Sequence, residues 1–207
     1  VRIHRFGGPE VLQCDDVAQP SPKPGEAAVA IEAAGVNYID VYHRVGLYKN
    51  ALPLTLGQEG AGVVSAVGDG VTRVKAGDRV AWTGGFGNYA EYNTVAADRL
   101  AGFDRSAGGR GAAAMLQGIT AHYLACTTYP LKAGETCLVH AGAGGVGLLL
   151  TQVAKMRGAR VITTVSNDEK AELSRGAGAD DVVMYSRDDF EAEVKKIDGH
   201  NPELGTA

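Results

Sequence analysis

Residues 136–155 read TCLVHAGAGGVGLLLTQVAK, an apolar run, a cluster of glycines and a second apolar segment with helical spacing. Cys137 to Ala141 has the length and composition of a buried strand, and Leu148 to Met156 continues as a helix free of Pro and Gly. Between them stand Gly142, Ala143, Gly144, Gly145, Val146 and Gly147. In a strand, turn, helix unit the first Gly permits the tight turn and the second lets backbone approach a pyrophosphate. The third lets the helix pack closely on the sheet, while free N–H groups and the positive end of the helix dipole face the anion. With 29 glycines in 207 residues the pattern alone carries little weight, and its setting decides.

Working outward, Arg157-Gly158 closes that helix with a basic last turn and a Gly stop. Arg160 to Val165 (RVITTV) reads as a second parallel strand, Asp168 to Arg175 as a second helix, Asp181 to Tyr185 as a third strand and Asp188 to Ile197 as a third helix. The alternation spells βαβαβ, a dinucleotide-binding half-fold; the competing reading is a Gly-rich structural turn. The first half differs. Pro20, Pro22 and Pro24 precede an alternating strand at Glu26 to Glu32, and further short strands are expected at Gly60 to Val67, Asp78 to Thr83 and Asn88 to Thr94, with one helix near Asn37 to Arg44. An apolar, small-residue helix is expected around Ala112 to Cys126. The organisation is therefore α/β, a mostly-β domain over 1–117 followed by a parallel-sheet domain over 118–207.

The chain is 45% hydrophobic and 21% charged, with a net charge of −4, an ordinary composition for a water-soluble protein. No apolar run approaches the roughly 18 residues that span a membrane, and the amino end lacks the regions of a signal peptide; a cytoplasmic protein is expected. A mildly acidic chain offers no footprint for nucleic acid. Cys14, Cys126 and Cys137 are widely spaced and odd in number, so reduced, buried or semi-buried thiols are expected rather than a disulfide framework or a metal site.

The strand end after the glycine loop bears on the cofactor. NAD-specific sites place an Asp or Glu about 20 residues past the loop, where it binds the ribose 2′-OH. Here that place falls at Val165-Ser166, and Ser166 can donate to a 2′-phosphate while Lys170, one turn later, supplies charge. Ser166 and Glu169 also have the spacing of a capping box, and Asp168 and Glu169 are the residues that would weaken a preference for NADPH.

Gly134-Glu135, Leu138, Ala143-Gly144-Gly145, Gly147, Gln152 and Lys155, together with Ala33-Ala34-Gly35-Val36-Asn37-Tyr38-Ile39-Asp40, Gly46-Leu47-Tyr48, Gly57-Gln58-Glu59-Gly60-Ala61-Gly62, Ala76-Gly77-Asp78-Arg79-Val80 and Leu116-Gln117-Gly118-Ile119-Thr120-Ala121-His122-Tyr123, carry a resemblance. The chain resembles the zinc-free quinone oxidoreductase (zeta-crystallin-like) branch of the medium-chain dehydrogenase/reductase family up to Ile197. Gly142 departs from that pattern, which usually has Ser or Ala there. The resemblance implies a GroES-like catalytic domain, a Rossmann domain, a homodimer, and NADPH-dependent reduction of quinones or similarly conjugated carbonyl compounds. Zinc-dependent relatives carry Cys near the position of Asn37 and Gly-His-Glu where this chain has Gly57-Gln58-Glu59, so the ligand types of a catalytic zinc are missing and no metal is expected.

By the same resemblance, Asn37 and Tyr42 line the nicotinamide and substrate cleft, Tyr48 caps its rim, Thr120 touches the nicotinamide ribose, and Ser166, Lys170 and Tyr185 bind the 2′-phosphate. Each has a structural alternative: Asn37 as a helix cap, Tyr42 and Tyr48 as packing aromatics, His140 as a core histidine, and Gln152 and Lys155 as packing and helix-end residues. A second enzymatic possibility is an alkenal or enone C=C reductase using the same cleft. A third is a crystallin-like protein that keeps NADPH without turnover. A full Rossmann sheet has six strands, yet Asp198 to Ala207 is Gly/Pro-punctuated and no further strand is expected there, so the Rossmann domain reads as incomplete and the chain as truncated at its carboxyl end. The segment 102–111 (GFDRSAGGRG) replaces a Leu-Pro-containing stretch of the family.

Overall fold

Residues 1–103, 110–199 and 205–206 are described by the computed structural model, and the chain falls into two units, Val1–Leu116 and Gln117–Ala207. Most of segment 102–111 lies outside the described residues. In chain order the first unit contains β1 (Arg2–Ile3), β2 (Glu26–Gly35), α1 (Tyr38–Val45), β3 (Leu54–Thr55), β4 (Glu59–Val67), β5 (Arg79–Thr83), β6 (Tyr92–Ala96) and β7 (Ala101–Gly102). Five strands pair antiparallel in the order β6-β2-β4-β5-β7, and β1 pairs with β3.

Period-2 alternation explains the core of this unit. Ala27 and Val29 of β2, Val64 of β4 and Val80 and Trp82 of β5 point to one face and pack with Val95 and Leu100. Trp82 is fully buried and its indole N–H donates to Asn88 Oδ1 at 3.1 Å, which satisfies the ring's one polar atom. The strand expected at Asn88 to Thr94 begins instead at Tyr92. Backbone N–H groups of Gly87, Asn88 and Tyr89 donate to Thr55, Gly57 and Leu56 rather than to β2, and the Asn88 side chain is held by Trp82 and Asn93. Those bonds pull 87–89 out of the sheet.

α2 (Arg110–Tyr123) contains the division between the units and continues into a π-turn over Leu124–Thr128. The second unit then runs β8 (Thr136–Val139), α3 (Gly145–Met156), β9 (Arg160–Val165), α4 (Asp168–Gly176), β10 (Asp181–Met184), α5 (Phe190–Asp198) and β11 (Gly205–Thr206). These strands form a parallel sheet in the order β10-β9-β8-β11. Burial on both faces is written into successive residues. Cys137, Val139 and Val161 meet Leu150 and Ala154 of α3 and Ala121 on one side, while Leu138, Ile162 and Val183 meet Val194 of α5 on the other. The α/β organisation, a mostly-β part followed by a partial parallel sheet, is the one the sequence leads one to expect. The tail corrects one expectation: Gly205 and Thr206 pair with Cys137 and Leu138 as a short fourth strand. Two residues held by backbone bonds leave no side-chain pattern to read.

Among the described residues no helix is long and apolar enough to cross a membrane. Burial pushes the Cys137 thiol up to about 11, helped by the nearby Asp180 carboxylate, so it stays protonated. Cys14, by contrast with the expected burial, is exposed.

Lys155, on the last turn of α3, reaches Asp180 with bonds of 2.8 and 2.7 Å, and Asp180 Oδ2 also accepts Val161 N–H at 2.7 Å, locking α3 to the start of β9. Partial burial works against the charge, but the Lys155 ammonium and the Val161 N–H outweigh it and hold the carboxyl below its ordinary range. Because the folded pKa is lowered, the contribution is present above the unfolded carboxylate pKa and lost as pH falls. Asp180→Asn is expected to cost on the order of 1 kcal/mol at neutral pH. Urea unfolding across the acidic range should show its gap from the native chain closing as pH drops.

Candidate functional site

The glycine loop is shaped by one close pass. β8 ends at Val139, Ala141 takes a left-handed φ of 52°, and Gly144 N–H returns to Ala141 C=O at 2.8 Å. Gly144 caps α3 with extended backbone (φ −76°, ψ 167°), leaving the N–H groups of Gly145, Val146 and Gly147 without acceptors within the helix. Any Cβ on Gly147 would run into Ala141 O, so only Gly lets α3 pass beneath the turn. At Gly142 a Cβ would stand 2.5 Å from Thr163 Cβ and 2.9 Å from Ser174 Oγ. Thr163 and Ser174 are fully buried and hydrogen bonded at 2.8 Å, so the room that a Ser or Ala would need at 142 is filled by this pair. That accounts for the one departure in the loop. The residues present suit a dinucleotide pyrophosphate: glycines that allow a close approach, and helix-end N–H groups with no acceptor within the helix.

His140 is exposed rather than a core residue. Its Nδ1 lies 3.0 Å from Thr164 Oγ1, and its ring meets Phe190 edge to face at 5.3 Å.

At the end of β9 the expected capping box between Ser166 and Glu169 does not form. Asn167 is the cap of α4, its side chain accepting Lys170 N–H at 2.9 Å, which leaves Ser166 Oγ to accept from Lys170 Nζ at 3.1 Å. The loop after β10 is tied to the same place: Tyr185 N–H donates to Val165 O at 3.1 Å and Ser186 Oγ–H to Ser166 O at 2.7 Å. Ser166, Lys170 and Tyr185 therefore gather at one strand end, with the Tyr185 ring exposed. Asp168, the first residue of α4, is paired with Arg187 at 2.6 Å, a residue that the sequence reading missed.

In the first unit Asn37 is the N-cap of α1 (φ −125°, ψ 150°) and is buried. Asp40 Oδ2 accepts Asn37 N–H at 3.0 Å and the Tyr89 hydroxyl at 2.7 Å, while Asn37 Nδ2–H donates to the fully buried Glu59 carboxylate at 3.0 Å. Glu59 also accepts Leu116 N–H at 2.7 Å. Burial and the Asp40 carboxylate together raise the Tyr89 phenol well above its ordinary pKa. Tyr42 and Tyr48 are brought together edge to face at 5.7 Å, and Tyr48 is half exposed.

Behind these tyrosines sits a cluster that the sequence reading did not single out. His43, buried on α1, packs its ring against Tyr48 at 5.5 Å and Phe86 at 4.8 Å. Asn50 Nδ2 lies 2.8 Å from His43 Nδ1 and 2.9 Å from Tyr48 O, so its two hydrogens serve both acceptors. On the other side of the ring His43 Nε2 lies 2.7 Å from Gln58 Nε2, so the imidazole is held between two side-chain amides. The sequence signal was the position of Gln58 itself, beside Glu59 in the Gly57-Gln58-Glu59 motif.

Thr120 stands on α2 in the second unit, part-buried. Gln152 is exposed and donates to Leu148 O within α3. Among the described residues no three His, Cys, Asp or Glu side chains gather as a metal site.

The profile of the alcohol dehydrogenase GroES-like domain matches residues 23–131, and that of the zinc-binding dehydrogenase domain matches 145–203. A quinone oxidoreductase of Pseudomonas aeruginosa is 46% identical over 203 residues, covering 95% of this chain and 62% of the relative. A 2-haloacrylate reductase of Burkholderia sp is 38% identical over 205 residues, with 95% and 62% covered. The crystal structure of Escherichia coli quinone oxidoreductase complexed with NADPH superposes with a TM-score of 0.92 at 42% identity, over 96% of this chain and 62% of that one. The chain thus spans about 62% of the length of the relatives it matches.

Tyr89→Phe removes a donor from the buried Asp40 carboxylate and is expected to cost about 1–3 kcal/mol in urea unfolding at neutral pH. Because the folded phenol pKa is raised, the native bond's contribution is complete below the pKa of an unfolded tyrosine, about 10, and fades as pH climbs beyond it. The variant's alkaline loss of stability should accordingly be smaller.

Proposed function

We propose a function from the premise that this chain belongs to the alcohol dehydrogenase GroES-like family, in the quinone oxidoreductase branch of the medium-chain dehydrogenases/reductases: an NADPH-dependent reductase of quinones and other conjugated carbonyl compounds. The observation that carries the reading lies in the second unit. The head of α3 offers the N–H groups of Gly145, Val146 and Gly147, which have no acceptor within the helix, and just after β9 the Ser166 hydroxyl is bonded to Lys170 where an NAD site would place an acid.

In this reading the amides at the head of α3 bind the pyrophosphate and Ser166, Lys170 and Tyr185 bind the 2′-phosphate. NADPH, when bound, supplies the hydride. Thr120 contacts the nicotinamide ribose. Asn37, its amide fixed by Glu59, lines the cofactor and acceptor cleft with Tyr42, and Tyr48 closes its rim. The tyrosine hydroxyls donate to an acceptor oxygen as negative charge grows there, without becoming general acids. Asn37 also caps its helix and Tyr42 packs on Tyr48, so structural and functional roles coincide in both. The protein works as a homodimer in the cytoplasm, with residues 1–117 as the catalytic domain and 118–207 as the cofactor domain.

A second reading, reduction of a conjugated C=C bond, draws on the likeness to the 2-haloacrylate reductase. Steady-state NADPH oxidation with a benzoquinone and with an enal separates the two. Oxidation of NADPH by neither, with nucleotide binding retained, would leave a crystallin-like binding protein and remove both enzymatic readings.

Gly147→Ala is expected to weaken NADPH binding at least tenfold, about 1.4 kcal/mol, by forcing α3 away from the turn. Lys170→Ala should weaken NADPH far more than NADH. Fluorescence titration measures both, and equal losses of the two nucleotides in Lys170→Ala would refute the 2′-phosphate assignment.

A further inference from the structure

We propose that Arg187 sets the preference for a 2′-phosphorylated nucleotide by cancelling the charge of Asp168. This inference rests on the NADPH reading and extends it to residues outside the Ser166, Lys170 and Tyr185 set.

Two requirements conflict at the head of α4. An acid in the first helical turn is favourable, because it faces the positive end of the helix dipole, and Asp168 and Glu169 fill that turn. The same carboxylates flank the strand end where a phosphate dianion would be received, and there they repel it. Lys170 alone cannot balance two acids.

Arg187 resolves the conflict through the loop after β10. Tyr185 N–H on Val165 O and Ser186 Oγ–H on Ser166 O stitch that loop to the β9 end, and the next residue delivers its guanidinium to Asp168 Oδ2 at 2.6 Å. With Arg187 present, the four charges of Lys170, Arg187, Asp168 and Glu169 sum to zero; without it they sum to −1. A 2′-hydroxyl is indifferent to that difference and a 2′-phosphate is not. Both side chains are more than half exposed, at 57% for Arg187 and 72% for Asp168, so the pair adds little to folding and is free to act on an incoming charge.

The test uses the adenosine half of the cofactor, 2′,5′-ADP against 5′-AMP, titrated by calorimetry into the chain, so that no turnover is required. The native chain is expected to favour 2′,5′-ADP. Arg187→Ala should cut that preference about tenfold while leaving 5′-AMP affinity unchanged, as one uncompensated charge at close range implies. Adding Asp168→Asn to Arg187→Ala should return the preference to within a few-fold of native. A preference unmoved by Arg187→Ala, or a double variant as poor as the single one, would overturn the proposal; the latter would mean that Arg187 grips the phosphate directly. A native chain with no preference would instead remove the NADPH reading, and this inference with it. Melting temperatures close to native in both variants establish that the losses are local.

Discussion

The passage of α3 beneath the Ala141 carbonyl is the constraint from which the second unit takes its form. Because Gly147 has no Cβ, the helix starts close under the turn, and its apolar stripe reaches the face of the sheet presented by Cys137, Val139 and Val161. The same closeness leaves the first amides of α3 pointing outward from a strand end. Close packing and helix-end N–H groups left without acceptors within the helix are two results of one contact. Thr163 and Ser174 share in it, since their bonded pair fills the space beside Gly142 and holds β9 to α4 under the loop.

A comparable constraint organises the first unit around Glu59. A carboxylate with no exposure must be fully engaged, and it takes donors from Asn37 and Leu116. This fixes the side chain at the start of α1, while Asp40 and Tyr89 fix its backbone. The helix so anchored presents Tyr42 toward Tyr48, with His43, Asn50 and Gln58 forming the polar backing that holds the Tyr48 loop. Polar residues here serve geometry first, and any chemistry is carried by groups whose orientation they set.

Much of this was legible in the sequence where a signal is local. The β-branched RVITTV, the glycine loop and the apolar run after it each encode their own conformation, and each is found where it was expected. Legibility failed where two segments compete for the same backbone groups. The run at Asn88 to Thr94 reads as one strand, yet residues 87–89 are claimed by 55–57. Ser166 and Glu169 have the spacing of a capping box, but Asn167, one residue closer, takes the cap. His140 stands among buried neighbours in sequence and still faces out, because it lies just past the last residue of β8.

By itself, then, the sequence determined the main strands and helices, the parallel half-sheet, the glycine loop and the absence of an acid just after β9, since all of these depend on periodicity, residue type and short spacing. Only the tertiary structure decided that Gly142 is matched by Thr163 and Ser174, that His43 is bracketed by Asn50 and Gln58, and that Asp168 is neutralised by Arg187. The reason is physical. Those choices depend on which atoms compete for one small volume or one hydrogen, and such competition exists only once distant segments have been brought together.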